Sequence, residues 1–272
     1  MKSGSSACRT IADSYPINSN GGEAGSLPSW RTAAPLATVQ APMTTPPPPT
    51  LPPPPWPAGA RLRLREFEAT DVDELARMHR EPRVRAQLMD DLALDDAATA
   101  ARFVAGLQAF YRRHEGTGIW RAERAEAADP DSLAEARAAH AVGDIGDALL
   151  ALLEAPAWRF CGWFSLVHLA DAPAELEIGA RLAPDAWGGA LALDGGEWLL
   201  HRAFGELGRE RVWGHCDPAN RSAAHCLRVL GFTPAGQSPY NGQVAARFGL
   251  ERARWLDWHR TPRRDRVRRA RG

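Results

Sequence analysis

No apolar run in the 272-residue chain approaches the ~20 residues that a membrane-spanning helix needs. The first residues also lack the apolar core of a secretory signal. A membrane partner is therefore not expected. Cysteine is scarce, with only Cys8, Cys161, Cys216 and Cys226, and none is spaced as a metal ligand. That argues against a disulfide framework and a zinc site, and for a reduced, cytoplasmic protein with no metal. Net charge is missing too. The 33 Lys and Arg balance the 33 Asp and Glu, which removes any global argument for nucleic acid. No internal repeat is visible. There is no G-x-x-x-x-G-K-S/T loop and no G-x-G-x-x-G fingerprint, so the common nucleotide-phosphate folds are not indicated.

What is present divides the chain in three. Residues 1–57 are rich in Gly, Ser, Asn and Thr and end in Thr45-Pro-Pro-Pro-Pro-Thr-Leu-Pro-Pro-Pro-Pro-Trp-Pro57, which can form neither helix nor ladder. They read as a disordered Pro-rich leader. The whole chain is 44% apolar, and residues 58–259 carry patterned segments throughout, as a folded domain requires. Within it, 124–157 is Ala-rich and acidic, with Asp129-Pro-Asp-Ser132 as a turn and a Ser132-x-x-Glu135 capping box, and reads as a helical insertion. Residues 260–272 are Arg-rich and read as a basic, disordered tail.

The domain is organised around Ala174-Glu-Leu-Glu-Ile-Gly-Ala-Arg-Leu-Ala-Pro-Asp-Ala-Trp-Gly-Gly-Ala-Leu-Ala-Leu-Asp194. Alternation predicts a strand with Leu176, Ile178 and Ala180 on one face and Glu175, Glu177 and Gly179 on the other. Gly188 and Gly189 then make a tight turn into a helix. The first N–H groups of a helix lack internal partners and carry partial positive charge, so this turn suits an anion such as a phosphate. Upstream, Trp158-Arg-Phe-Cys-Gly-Trp-Phe-Ser-Leu-Val-His-Leu169 reads as a strand pairing back on it in a hairpin. Downstream, Asp217-Pro-Ala-Asn220 reads as a turn that caps another helix, and Val244 to Leu250 as the last strand. His168, His201, His215 and His225 fall on different elements without ligand spacing and read as surface or helix-face residues.

Arg61-Leu-Arg-Leu-Arg-Glu-Phe67, Glu177-Ile-Gly-Ala-Arg-Leu182, Trp187-Gly-Gly-Ala-Leu-Ala192 and Asp217-Pro-Ala-Asn220 with Val229-Leu-Gly-Phe232 resemble the Gcn5-related N-acetyltransferases (GNAT), in particular the RimJ/RimL type that acetylates ribosomal-protein alanines. The resemblance implies an α/β (α+β) fold with a mixed, mostly antiparallel central sheet whose strands splay apart, flanked by helices. It implies acetyl-CoA as co-substrate and a primary amine as acceptor, on a protein N-terminus or a small molecule, ribosomal proteins included. The pyrophosphate would lie on Trp187, Gly188, Gly189, Ala190, Leu191 and Ala192. Ala180, Arg181 and Leu182 would pair through their backbone with the pantetheine arm, and Asn220 would contact it or simply cap its helix. Glu177 would be the base that takes the amine proton, with Glu175 in reserve. The general acid stays open: Ala223 stands where many relatives have Ser and Leu227 where others have Tyr, which leaves Ser222, Cys226 or water. Two other readings remain, a CoA-binding module without catalysis and an RNA- or ribosome-associated protein using the Arg tail. Monomer and homodimer are both compatible with the sequence.

Overall fold

The computed structural model describes residues 61–90, 92–169, 172 and 174–271. The Pro-rich leader lies outside the described residues. Strand β1 (Leu62–Arg65) is followed by helices α1 (Val72–Arg80), α2 (Pro82–Arg85) and α3 (Ala97–Tyr111) and by strand β2 (Gly118–Glu126). Helices α4 (Pro130–Ala141) and α5 (Asp147–Glu154) lead to β3 (Ala157–His168) and β4 (Leu176–Leu182). Then come α6 (Leu191–His201), β5 (Arg211–Cys216), α7 (Arg221–Leu230), β6 (Thr233–Tyr240), β7 (Gln243–Glu251), α8 (Arg252–His259) and α9 (Arg263–Arg269). The seven strands form one sheet in the order β1-β2-β3-β4-β5-β7-β6. All its pairings are antiparallel except β4 with β5.

Each face of this sheet carries its own apolar layer, as alternation dictates. Leu62, Phe164, Leu166, Leu176 and Ile178 pack under α6 and α7 with Leu199, Phe204, Leu227 and Trp255. On the other face Ile119, Trp163 and Val167 pack under α1, α2 and α3 with Leu75, Val84, Phe103 and Leu107. Leu176 and Ile178 are buried as expected, and Glu177 projects from the opposite face beside Val167.

The decisive irregularity lies in β3. Gly162 pairs with Ala122 and Phe160 with Glu123, so Cys161 is an extra, unpaired residue. Such a bulge bends a strand and raises its twist. Beside it β4 holds its register with β3 as far as Leu182, while its pairing with β5 ends at Ile178 opposite Gly214. The two strands therefore splay, and residues 179–182 leave their β5-facing edge without a strand partner.

Four expectations change. The 260–272 segment is not disordered along its described length. Arg263–Arg269 is a helix, and Arg266 is buried. Its partners are on α6: Glu197 accepts from Arg263 at 2.6 Å and Arg266 at 2.7 Å, and Asp194 accepts from Arg263 at 2.6 Å. Burial alone would raise the Glu197 carboxyl, but the bonds from these arginines hold it below its usual range. A charge run read as solvated thus docks because two carboxylates face it. The insertion is shorter than 124–157, because β2 continues to Glu126 and β3 starts at Ala157. Its first helix is capped by Asp129, which accepts from the Ser132 N–H at 2.9 Å, rather than by Ser132. Finally, Thr233–Tyr240 is a strand that the pattern Thr-Pro-Ala-Gly-Gln-Ser-Pro-Tyr conceals. Its Pro234 and Pro239 are tolerated because β6 is an edge strand.

Candidate active site

The splay opens a cleft of about 160 Å³. Gly179, Ala180 and Arg181 of β4 form one wall, and His215 and Cys216 of β5 with Asp217, Asn220 and Ala223 form the other. Trp163, Ser165 and Glu177 line it from the sheet, and Tyr240 and residues 87–90 from beyond the sheet edge. Gly179 keeps it open, since a Cβ there would meet Ser165 Oγ at 2.5 Å.

Glu177 is 5% exposed. Its Oε1 accepts a hydrogen bond from the Tyr240 hydroxyl at 3.0 Å. His215 Nδ1 also lies 3.0 Å from Oε1, but it is not aligned to form a hydrogen bond. The His215 ring stacks on Tyr240 with centroids 4.8 Å apart. Contrary to the surface reading, His215 is therefore buried against the expected base. Tyr240 is absent from the sequence candidates because the pattern of residues 233–240 conceals β6. The signal was present: Asn241-Gly242 joins β6 to β7 with φ of 56° and 75°, and Tyr240 pairs with Gln243 across it. Asn-Gly with both residues at positive φ is a two-residue hairpin turn. The Asn241 amide donates to Met89 O at 3.0 Å, fixing the hairpin to the residues after α2.

Glu175 is placed elsewhere. It accepts from Trp213 Nε1 and lies 3.6 Å from Arg211 Nη1, outside the cleft lining. Ser222 is exposed and also outside the lining. Cys226 is half-buried, and burial pushes its thiol upward. The Cys161 and Cys216 thiols are raised by burial to about 12 and about 11, which makes them poor nucleophiles. Among the described residues no His, Cys, Asp or Glu group is arranged to hold a metal.

Arg181 contributes a side chain as well as backbone. It donates to Asp90 at 2.6 Å, lies 4.7 Å over Trp163, and approaches His79 Nε2 at 2.7 Å. A guanidinium only donates, so Nε2 accepts, and Nδ1–H donates to Leu75 O at 2.9 Å. Both bonds require neutral His79. Burial first, and then the Arg181 cation, lower its pKa to about 4. In the unfolded chain the imidazole titrates near its ordinary 6.5. Below that pH the unfolded state gains a proton that the folded state refuses, so stability falls with pH until about 4. Urea unfolding at pH 5 should show a loss of about 2 kcal/mol relative to pH 7.5 from this group. His201 and His259, also lowered by burial, act in the same direction, so the comparison is with His79→Gln. An unchanged pH slope in that variant would refute the assignment.

At the far end of β4 the glycine turn is open. Trp187 Nε1 donates to Leu182 O at 2.8 Å and folds the loop back on the strand. Gly188 has φ of 75°, and a Cβ there would meet nothing within 4 Å. Ala190 is the N-cap of α6 and supplies no side-chain bond to the first N–H groups. Leu191 and Ala192 open the helix. Asn220 caps α7 by accepting from the Ala223 N–H at 3.0 Å while lining the cleft. An open glycine turn is thus joined along an unpaired strand edge to a buried carboxylate.

A model of the acetyltransferase (GNAT) domain matches residues 61–233. The chain belongs to this acetyltransferase family. It is an acetyl-CoA-dependent N-acetyltransferase. Solved structures share its fold. The ribosomal-protein-S5-alanine acetyltransferase of Vibrio fischeri has a TM-score of 0.51 at 12% identity, over 73% of this chain and 97% of that one. Mycobacterium smegmatis RimJ in complex with CoA-disulfide gives 0.51 at 14% identity, over 77% and 88%. A GCN5-related N-acetyltransferase from Brucella melitensis gives 0.50 at 15% identity, over 75% and 81%. No curated protein matches the chain in sequence. Among the described residues no helix is long and apolar enough to cross a membrane.

Proposed function

We propose that this enzyme is a RimJ/RimL-like N-acetyltransferase whose acceptor is the α-amine of a protein, with Glu177 as base and Tyr240 as acid. The observation that carries the assignment is the 3.0 Å hydrogen bond from Tyr240 to Glu177 in the cleft where β4 and β5 part. The substrate's pyrophosphate lies on Trp187 to Ala192, and its pantetheine arm runs along the free edge of Ala180, Arg181 and Leu182 past Asn220. These residues fit it: the turn is open at Gly188 and the first N–H groups of α6 carry no side-chain cap.

Glu177 takes the proton from the acceptor ammonium. The freed nitrogen lone pair bonds to the thioester carbon, the C–S bond breaks, and the sulfur leaves with its electron pair. Tyr240 gives that sulfur a proton and regains one from Glu177 along their shared bond. The amide nitrogen sheds its second proton to water, so of the two protons the ammonium loses one reaches sulfur and one reaches solvent, and both residues return to their starting states. Asp90, Glu177 and Asp217 outnumber Arg181 in the cleft, which favours a cationic acceptor. A ribosomal protein N-terminus suits the likeness to RimJ, and such an acceptor would put the reaction in the cytoplasm.

Thiol release from acetyl-CoA across peptides with free N-termini and small amines tests the acceptor class. Turnover on small amines alone would overturn the protein-acceptor reading. Tyr240→Phe keeps the ring on His215 and removes the proton. Its kcat should fall about tenfold, below the ~10²–10⁴-fold usual for a general acid because a CoA thiolate leaves readily. KM for acetyl-CoA should stay within about twofold. An unaltered kcat would exclude Tyr240 as the acid.

A further inference from the structure

Charge in this neutral chain is unevenly placed. Residues 252–271 hold nine arginines and two aspartates, a surplus that the rest of the chain balances. Had these residues been unstructured, that surplus would define no surface. Instead α9 packs against α7, held on its inner side by Arg263 and Arg266 bonded to α6. The outer side is therefore fixed in place. Arg264 and Arg268 on it are about four-fifths exposed, and they share one carboxylate, Asp265, only loosely at 3.8 and 3.6 Å. Arg271, two residues beyond the end of α9, is exposed as well.

The surface extends beyond α9. Arg254 donates to Gly231 O at 2.7 Å at the end of α7, and its guanidinium and that of Arg269 lie 5.4 and 5.8 Å from the Trp258 ring. Arg228 on α7 is exposed, one residue before Val229, whose carbonyl accepts from Trp258 Nε1 at 2.9 Å. Among the described residues no carboxylate comes within 4 Å of the guanidinium nitrogens of Arg228, Arg254, Arg269 or Arg271. Arg65, Arg121 and Arg181, by contrast, are paired inside the fold.

We propose that the α7–α8–α9 face binds the phosphate backbone of a nucleic acid without reading its sequence. Arginine presents a planar fork matched to phosphate oxygens. Successive arginines four residues apart on α9 are about 6 Å apart along the helix axis, so neighbouring phosphates can be engaged together. A lipid surface is disfavoured, since none of the large exposed apolar side chains is on α8 or α9 to insert.

The test is fluorescence anisotropy of a labelled 20-nucleotide poly(U) strand with the full chain between 50 and 300 mM salt. Three to four phosphate contacts give a slope of log K against log salt of about −2 to −3. The triple variant Arg264→Gln, Arg268→Gln, Arg271→Gln should bind at least about tenfold more weakly at 100 mM salt and lose about two units of that slope. Its melting temperature and acetyl transfer to a peptide should be unchanged. Absence of wild-type binding at 50 mM salt, salt-insensitive binding, or equal binding by the triple variant would each overturn the proposal. Tighter binding to phosphatidylserine vesicles than to poly(U) would also overturn it.

Discussion

Glu177→Gln should lower kcat for acetyl transfer by about 10²–10³-fold while leaving the affinity for CoA within about twofold. Gln is nearly isosteric and its amide oxygen can still accept from Tyr240, so the cleft geometry survives the change. What disappears is the ability to take a proton from the acceptor ammonium. Near neutral pH only a small fraction of a protein α-amine or Lys-like amine is already deprotonated, and that fraction rises with pH. The deficit of the variant should therefore narrow as pH increases, which a purely structural defect would not produce. Isothermal titration with CoA separates the two causes, because a collapsed cleft would also lose the ligand.

His215 is the specific competitor. It is buried, it lies 3.0 Å from the same carboxylate oxygen, and its Nδ1 is not otherwise bonded. If His215 were the base, His215→Gln would carry the large loss and Glu177→Gln a small one. The geometry favours Glu177, because Tyr240 donates to it and couples the proton taken from nitrogen to the proton given to sulfur. His215 has the ring stack with Tyr240 but no aligned bond.

Legibility followed the physical origin of each feature. The strand Leu176–Leu182, the glycine turn and the Asn220 cap depend on local rules of alternation, turn chemistry and capping, and these are written in consecutive residues. Glu177 could be placed on the polar face of its strand for the same reason. Tyr240 was hidden because β6 is an edge strand whose only clear marker is the Asn241-Gly242 turn after it. His215 reads as an exposed residue of a short strand, since nothing local shows that Tyr240 of β6 and residues 87–90 share its cleft. Ser222 stands one residue before the place where many relatives have Ser, yet on α7 it faces solvent while Ala223 lines the cleft. The docked tail depends on Asp194 and Glu197, some 70 residues away, a pairing that composition cannot display.

Gly162 is where a single methyl group should do the most damage to the fold. Its φ is 135°, outside the range that residues with a side chain favour, and this alone costs about 1–3 kcal/mol. A Cβ there would also stand 2.1 Å from the carbonyl oxygen of Arg181 and 2.7 Å from Leu182 Cα. Both are backbone atoms, so no rotamer change can relieve the overlap, and β3 must separate from β4. Together these effects place Gly162→Ala at about 4 kcal/mol or more, a fall in melting temperature on the order of 8–16 °C for a domain of this size. The damage falls on function too, because the residues forced to move carry the strand edge assigned to the pantetheine arm. Gly188→Ala is the contrasting case. It pays the left-handed backbone penalty of about 1–2 kcal/mol without any clash, since nothing lies within 4 Å of its Cβ. Its melting temperature should therefore fall much less, while CoA affinity drops as the methyl enters the space assigned to the pyrophosphate. Calorimetry and CoA titration on the two variants read both effects. A melting temperature for Gly162→Ala within about 2 °C of wild type would mean that the bulge does not hold β3 against β4.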